Sequence, residues 1–238
     1  QIMIRVLIKT SLYLFILIIL LISYLSTFGI DTKRFNSKIK KEIIKINKDV
    51  NLKLDDIKFL LNPFDLSINA KTYEPVVIAN NSKIKIEFLE TSISLKSFIN
   101  NEFSIDNLQI STKAIQLKDL VTFIRFFKNS PELFILNKTI KDGFLVGDIS
   151  LNFDDKGKIK NDYIIKGFIK NGKFNLLDNN KVDNLNLLFN LEEKKYFLED
   201  IETSYNQLKL SSPSIAIKKK EGSFLISGTL LSKKKEIN

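Results

Sequence analysis

Residues 182–191, VDNLNLLFNL, carry the clearest structural signal in the chain. Leu185, Leu187, Phe189 and Leu191 alternate there with mostly polar residues. Successive side chains of a β-strand point to opposite faces, so this alternation predicts a strand with one apolar and one polar face. Such a strand is typical of an antiparallel sheet that exposes one face to solvent.

The same period of two recurs on both sides of this strand, separated by turn residues every 8–12 positions or so, as in antiparallel meanders. Asn171-Gly172 predicts a hairpin turn because both residues accept positive φ. Further turns are expected at residues 178–180 and 220–222. The C-terminal half is therefore predicted to be an antiparallel meander.

The N-terminal part of the predicted sheet contains a change of phase. Ile84, Ile86 and Phe88 alternate with charged residues, and Ile93 and Leu95 resume the alternation after a slip near residues 89–90. A slip of this kind predicts a bulge or bend.

A short helical insertion is predicted near residues 117–136. Apolar residues follow a spacing of three and four along one face, at Leu117, Leu120, Val121, Ile124 and Phe127. Ser130-Pro131 then predicts the start of a second helix, with proline at its first position.

A transmembrane anchor is predicted at residues 10–30, which contain no charged residue. As a helix this run spans roughly 30 Å, the thickness of the hydrocarbon core of a bilayer. The apolar residues expected to contact lipid tails are Leu12, Leu14, Ile16, Ile18, Leu20 and Ile22. A basic head at residues 1–9 precedes the anchor, an amphipathic stalk helix is expected at 31–50, and a β-rich domain at 51–238.

The charges beside the anchor leave its orientation open. Five basic residues follow it, Lys33, Arg34, Lys38, Lys40 and Lys41, against Arg5 and Lys9 before it. The positive-inside rule alone would place the domain in the cytoplasm, but long domains are translocated despite their charges.

Composition argues against several classes of function. The chain has no Cys and no His, which removes disulfides, thiolate metal sites and the commonest general base. We therefore expect a non-enzymatic protein without metal or cofactor. The net charge of +10 comes from scattered lysines without a basic-aromatic motif, so nucleic-acid binding is not predicted.

An apolar sheet face of this width needs a cover. A second sheet would make a closed sandwich, whereas a curled, open sheet would leave a trough for acyl chains. The periodicity is the same in both arrangements. Without further information, the closed sandwich is the expected one.

The chain resembles the AsmA-like superfamily of bacterial envelope proteins, the type of AsmA, TamB and YhdP. The likeness lies in one N-terminal anchor followed by loose apolar patterns: FSIDNLQISTKAIQLKDL (103–120), GFIKNGKFNLL (167–177), VDNLNLLFNL (182–191), LEDIETSYNQLKLSSPSIAI (198–217) and FLISGTL (224–230). It covers nearly the whole chain and carries over no invariant residue. Members are usually much longer, which predicts that this chain is an N-terminal portion.

The resemblance implies a bacterial inner-membrane protein with the bulk of the chain in the periplasm. Its sheet would form a curled groove for phospholipid acyl chains, serving phospholipid transport or outer-membrane assembly, with other envelope proteins as further partners. The predicted groove residues are Ile84, Ile86, Phe88, Ile93, Leu95, Leu185, Leu187 and Phe189. The alternative is an adaptor similar to the lipopolysaccharide-transport anchor LptC, which would bind a partner by strand addition.

Overall fold

The computed structural model describes residues 2–79, 82–100, 105–176, 180–220 and 223–233. It is mainly β, as predicted. The helices are α1 (Ile2–Thr27), α2 (Asn36–Ile46), α3 (Leu95–Ile99), α4 (Leu117–Phe127) and α5 (Pro131–Thr139). The strands are β1 (Ile30–Thr32), β2 (Val50–Lys53), β3 (Ile57–Asn62), β4 (Ser67–Tyr73), β5 (Val76–Ala79), β6 (Ser82–Ser94), β7 (Ile105–Thr112), β8 (Ile115–Gln116), β9 (Ile140–Asn152), β10 (Ile164–Asn175), β11 (Lys181–Glu192), β12 (Lys195–Tyr205), β13 (Leu208–Lys220), β14 (Ser223–Gly228) and β15 (Leu231–Lys233).

All of these strands belong to one antiparallel sheet. Its main path runs β1-β3-β4-β6-β7-β9-β10-β11-β12-β13-β14, with β2, β5, β8 and β15 paired beside it. The two end strands, β1 and β14, do not pair with each other in the described ranges, so the sheet is open. The antiparallel meander is confirmed, whereas the curling into a groove stays a prediction.

The first helix is long, apolar and exposed. Residues Met3–Thr27 form the one helix of the described chain that is apolar enough to span a membrane, which fits a membrane anchor or a signal sequence. Gly29, at φ +70°, then turns the chain into β1, where Ile30 pairs with Phe59 of β3. A side chain at Gly29 would meet the Phe59 carbonyl oxygen at 2.4 Å, so this junction requires glycine.

The stalk region contains a shorter helix than the sequence suggests. Residues 31–32 lie in β1, and α2 occupies Asn36–Ile46. The Asn36 amide donates hydrogen bonds to the carbonyl oxygens of Leu54 and Asp55, at 3.1 and 2.8 Å, which hold the start of α2 against the sheet. The ring of Phe35 meets the ring of Phe59 edge to face at 5.4 Å.

The helical insertion is confirmed as α4 and α5. The apolar face of α4 buries Leu117 and Val121. Ser130 is the N-cap of α5, its hydroxyl accepts a hydrogen bond from the Leu133 N–H at 3.4 Å, and Pro131 follows at the first helical position. Ser130 therefore satisfies one of the N–H groups that a helix start leaves unpaired.

The hairpin turn predicted at Asn171-Gly172 is wrong, because both residues lie inside β10. Asn171 has φ +54°, and the pairing of β10 with β11 slips between Ile169 and Gly172. The pair therefore forms a bulge, which needs the same positive φ as a hairpin turn. The turns predicted at 178–180 and 220–222 fall largely on residues outside the described ranges, as does Phe103.

The protein has little enclosed core. Its accessible surface is 17447 Å² for a mass of 27.4 kDa. A compact monomer of this mass would expose roughly 11,000 Å². The excess reflects a bare helix α1 and a sheet that, over the described ranges, is not covered by a second sheet.

Candidate functional site

A continuous row of paired residues crosses ten strands of the sheet. We call it the apolar ladder, and its members share one face because directly paired residues of neighbouring strands point to the same side. At about 4.8 Å between strands, the ladder is roughly 43 Å long. Its members, from β3 to β14, are Ile57, Thr72, Leu89, Ile110, Ile149, Ile165, Leu191, Tyr196, Ile217 and Ile226.

Rows on either side widen this face. One row joins Leu61, Ile68 and Ile93 across β3, β4 and β6. Another joins Gly147, Gly167, Phe189, Leu198 and Ile215 across β9 to β13. The side chains of both rows are mostly half-buried, so they remain partly accessible to solvent.

Helices cover only one part of the apolar face. Leu120 and Phe123 of α4 pack on Ile84, Ile86 and Ile115. A second cluster of Leu117, Val121 and Ile140 packs against Leu145 and Ile169. The helical insertion therefore covers the apolar face only from β6 to β10. In the described chain it leaves that face of β11 to β14 uncovered.

The opposite face is polar and internally paired. The Lys71 ammonium lies 2.9 Å from Glu90 and 4.2 Å above the ring of Phe88. The hydrogen bond to Glu90 raises the pKa of Lys71 above its ordinary value, against the opposing effect of desolvation. Ser111 donates a hydrogen bond to Asp148 at 2.6 Å on the same face.

A shallow depression of about 360 Å³ near the β3–β4 end of the sheet is lined by polar residues alone. They are Asn62, Asp65, Ser67, Asn69, Glu90, Thr91, Ser92, Asp106, Asn107 and Gln109. No three His, Cys, Asp or Glu side chains of the described residues lie close enough together to hold a metal ion.

The structure separates the predicted groove residues of β6. Ile84 and Ile86 are 6% and 5% exposed, enclosed beneath α4. Phe88 pairs with Ser111 and lies on the polar face, because the pairing of β6 with β7 slips between Ile86 and Phe88. Ile93 lies on the apolar face, half-buried, and pairs with Ile68. Leu95 follows the end of β6 and is the first residue of α3.

The predicted groove residues of β11 lie together. Leu185 pairs with Gly172, Leu187 with Ile169 and Phe189 with Gly167, all three half-buried on the apolar face. Sequence reasoning missed most of the ladder as site residues, although alternation around Ile149, Ile165 and Ile217 was visible. The pairing register that joins them into one row is not encoded in any single strand.

The fold defines a class: an antiparallel sheet that is open over the described ranges, is covered in part by α4, and is joined to an N-terminal helix apolar enough to span a membrane. Comparison of the chain with family models, curated proteins and solved structures finds no match to any of them.

Proposed function

We propose that this chain is a non-enzymatic protein of the bacterial inner membrane, held by α1, with its sheet in the periplasm. Its apolar face binds phospholipid acyl chains and serves phospholipid transport or outer-membrane assembly, as the resemblance to the AsmA-like superfamily implies. The apolar ladder is the observation that carries the proposal.

The physical argument is the cost of leaving such a face in water. Each CH₂ group of an acyl chain that leaves water for an apolar surface gains about 0.8 kcal/mol. The ladder is unbroken from β9 to β14, so an acyl chain moving along this part stays in contact with aliphatic or aromatic side chains, namely Ile149, Ile165, Leu191, Tyr196, Ile217 and Ile226. Transfer along such a path needs no covalent chemistry.

Photocrosslinking separates the two faces of the sheet. A photoreactive residue at Ile165 or Leu191, on the ladder, is expected to label phospholipid in cells. The adjacent positions Lys166 and Asn190 pair with each other on the polar face and are expected to give only background labelling. Ile86 serves as a second control, since it lies beneath α4 and should not label. Equal labelling on both faces would contradict an acyl-binding face.

The orientation is tested with reporters fused after Lys41. We expect activity from alkaline phosphatase, which folds only in the periplasm, and none from cytoplasmic β-galactosidase. The basic residues after the anchor oppose this orientation, so the fusion is a strict test of it. Activity of the cytoplasmic reporter alone would overturn the periplasmic assignment.

A second candidate function is the LptC-like adaptor. The observation that favours it is strand β14. On the main path of the sheet, β14 has one described neighbour, β13. It also exposes the side chains of Phe224, Leu225 and Ile226. An edge strand of this kind offers unpaired backbone groups to a strand of a partner. Protein adducts from a photoreactive residue at Leu225, without lipid adducts on the ladder, would favour the adaptor.

A further inference from the structure

Helix α5 exposes apolar side chains on its outward side. Phe134, Ile135 and Leu136 follow one another and are 47%, 57% and 39% exposed. Leu133 packs on the buried cluster that contains Ile140, so it marks the side of α5 that faces the protein. At about 100° per residue, Ile135 lies on nearly the opposite side of the helix. A surface helix normally turns polar residues outward, and a run of exposed apolar residues is expected only where it has a function.

The end of α4 carries a similar surface. Leu117 and Val121, near its start, are buried. Ile124 and Phe127 belong to the same apolar face further along, and they are 39% and 53% exposed. The protein therefore covers only the first part of this face. We call the exposed apolar residues of the two helices the hairpin surface: Ile124, Phe127, Phe134, Ile135 and Leu136.

Cations are interleaved with the hairpin surface. The Arg125 guanidinium lies 5.0 Å from the centre of the Phe134 ring, and the Lys138 ammonium lies 5.6 Å from it. Residues 117–141 contain five cations and two carboxylates, a net charge of +3: Lys118, Arg125, Lys128, Lys138 and Lys141 against Asp119 and Glu132. Exposed aromatic and aliphatic side chains among Lys and Arg are typical of helices that lie on anionic membrane surfaces.

The hairpin surface lies far along the strands from the junction of α1 with the sheet. Ile30 follows α1, and the row of paired residues through Ile30 and Phe59 reaches β9 at Leu151. Helix α5 joins the other end of β9, at Ile140. At about 3.3 Å per residue, the strand from Leu151 back to Ile140 is roughly 36 Å long. This separation favours a bilayer other than the one that holds α1.

The helices of the hairpin surface also adjoin the apolar face of the sheet. Leu145, Ile169 and Phe174 pack against the cluster beneath α4. Ile169 pairs with Leu187 of β11, where the face is no longer covered by helices in the described chain. An acyl chain that leaves the apolar face at this point emerges beside α4.

We propose that the hairpin surface docks on an anionic phospholipid bilayer other than the one that holds α1. Its apolar side chains enter the interfacial layer of that bilayer, and the cations around them contact lipid phosphates. This inference rests on the proposed role of the sheet in phospholipid transport, and it assigns the contact with a second membrane to α4 and α5.

The chain has no tryptophan, so a single-tryptophan variant reports the surroundings of one position. The full chain is held by α1 in phosphatidylcholine nanodiscs, and vesicles of brominated phosphatidylglycerol and phosphatidylethanolamine are added. The fluorescence of Phe134→Trp is expected to be quenched and to shift to shorter wavelength. Phe64→Trp is the matched control, because Phe64 is 95% exposed but lies in the turn between β3 and β4, at the opposite end of the strands. It should not be quenched.

A second pair of variants, made in the Phe134→Trp chain, tests the cations. Replacing Lys128 and Lys141 together with glutamine is expected to weaken binding to the phosphatidylglycerol vesicles about thirtyfold. The same replacement of Lys156 and Lys158, which are exposed in the loop after β9, should leave binding unchanged. Equal weakening by both pairs would show that overall charge, and not the hairpin surface, controls binding, which contradicts the inference.

Two further results would overturn the docking. One is equal quenching of Phe64→Trp and Phe134→Trp by the vesicles. The other is quenching of Phe134→Trp when the bromines are in the nanodisc lipid, which would place the hairpin surface on the bilayer that holds α1. Absence of any quenching, with phospholipid labelling at Ile165 retained, would remove the second contact and leave the proposed function intact. Loss of the labelling at Ile165 and Leu191 would overturn the proposed function and the inference with it.

Discussion

Replacing Leu187 with glutamate is expected to abolish the recovery of phospholipid with the purified protein, whereas the same change at Leu188 leaves recovery unchanged. Leu187 pairs with Ile169 on the apolar face, half-buried. Leu188 is its immediate neighbour but pairs with Phe168 and Glu199 on the opposite face. A carboxylate among lipid tails costs about 3 kcal/mol, which corresponds to roughly a hundredfold loss of affinity.

The measurement is the phospholipid phosphorus per mole of full-length protein after extraction in mild detergent. Leu187→Met, which keeps an apolar side chain of similar volume, should retain wild-type recovery. Circular dichroism of all three variants checks that the sheet is intact. An equal loss of phospholipid recovery in Leu187→Glu and Leu188→Glu would show that general destabilisation lowers the recovery, and not the face of the sheet on which the glutamate lies.

The sequence predicts the secondary-structure elements of this chain better than it predicts which face of the sheet each side chain takes. The strands around Leu185–Phe189 and the helices α4 and α5 follow from local periodicity and from a capped helix start at Ser130. Phe88 shows the limit of this reasoning. The alternation predicts a slip near residues 89–90, but the pairing slips between Ile86 and Phe88. A shift of one residue moves a side chain to the other face of the sheet.

Ile84 and Ile86 show a second limit. Their alternation is the same whether the apolar face is open or covered, because periodicity reports only which side a residue takes. Their burial comes from α4, about 35 residues further along the chain. Only the tertiary structure therefore separates enclosed core residues from the open face.

The glycines beneath Phe189 lead to the largest expected change in stability. Gly147 pairs with Gly167 across β9 and β10, and Gly167 pairs with Phe189 on β11. A Cβ atom at Gly167 would lie 2.1 Å from the Val146 carbonyl oxygen and 2.8 Å from Phe189 Cζ. We expect Gly167→Ala to lower the free energy of unfolding by about 3 kcal/mol, because the backbone of two paired strands must move. For a chain of this size that is a fall in Tm of roughly 10 °C.

Gly147→Ala is the matched control, since it adds the same methyl group on the adjacent strand. A Cβ atom there would meet Leu145 Cδ2 and the Lys166 carbonyl oxygen at 3.5 Å, which is ordinary van der Waals contact. Its Tm should therefore stay close to that of the wild type when both are measured by circular dichroism in the same detergent. If the two variants have the same Tm, the close approach at Gly167 does not constrain the sheet. If only Gly167→Ala is destabilised, the glycine is required for β9 and β10 to pair beneath Phe189, and hence for the apolar face to continue from one half of the sheet to the other.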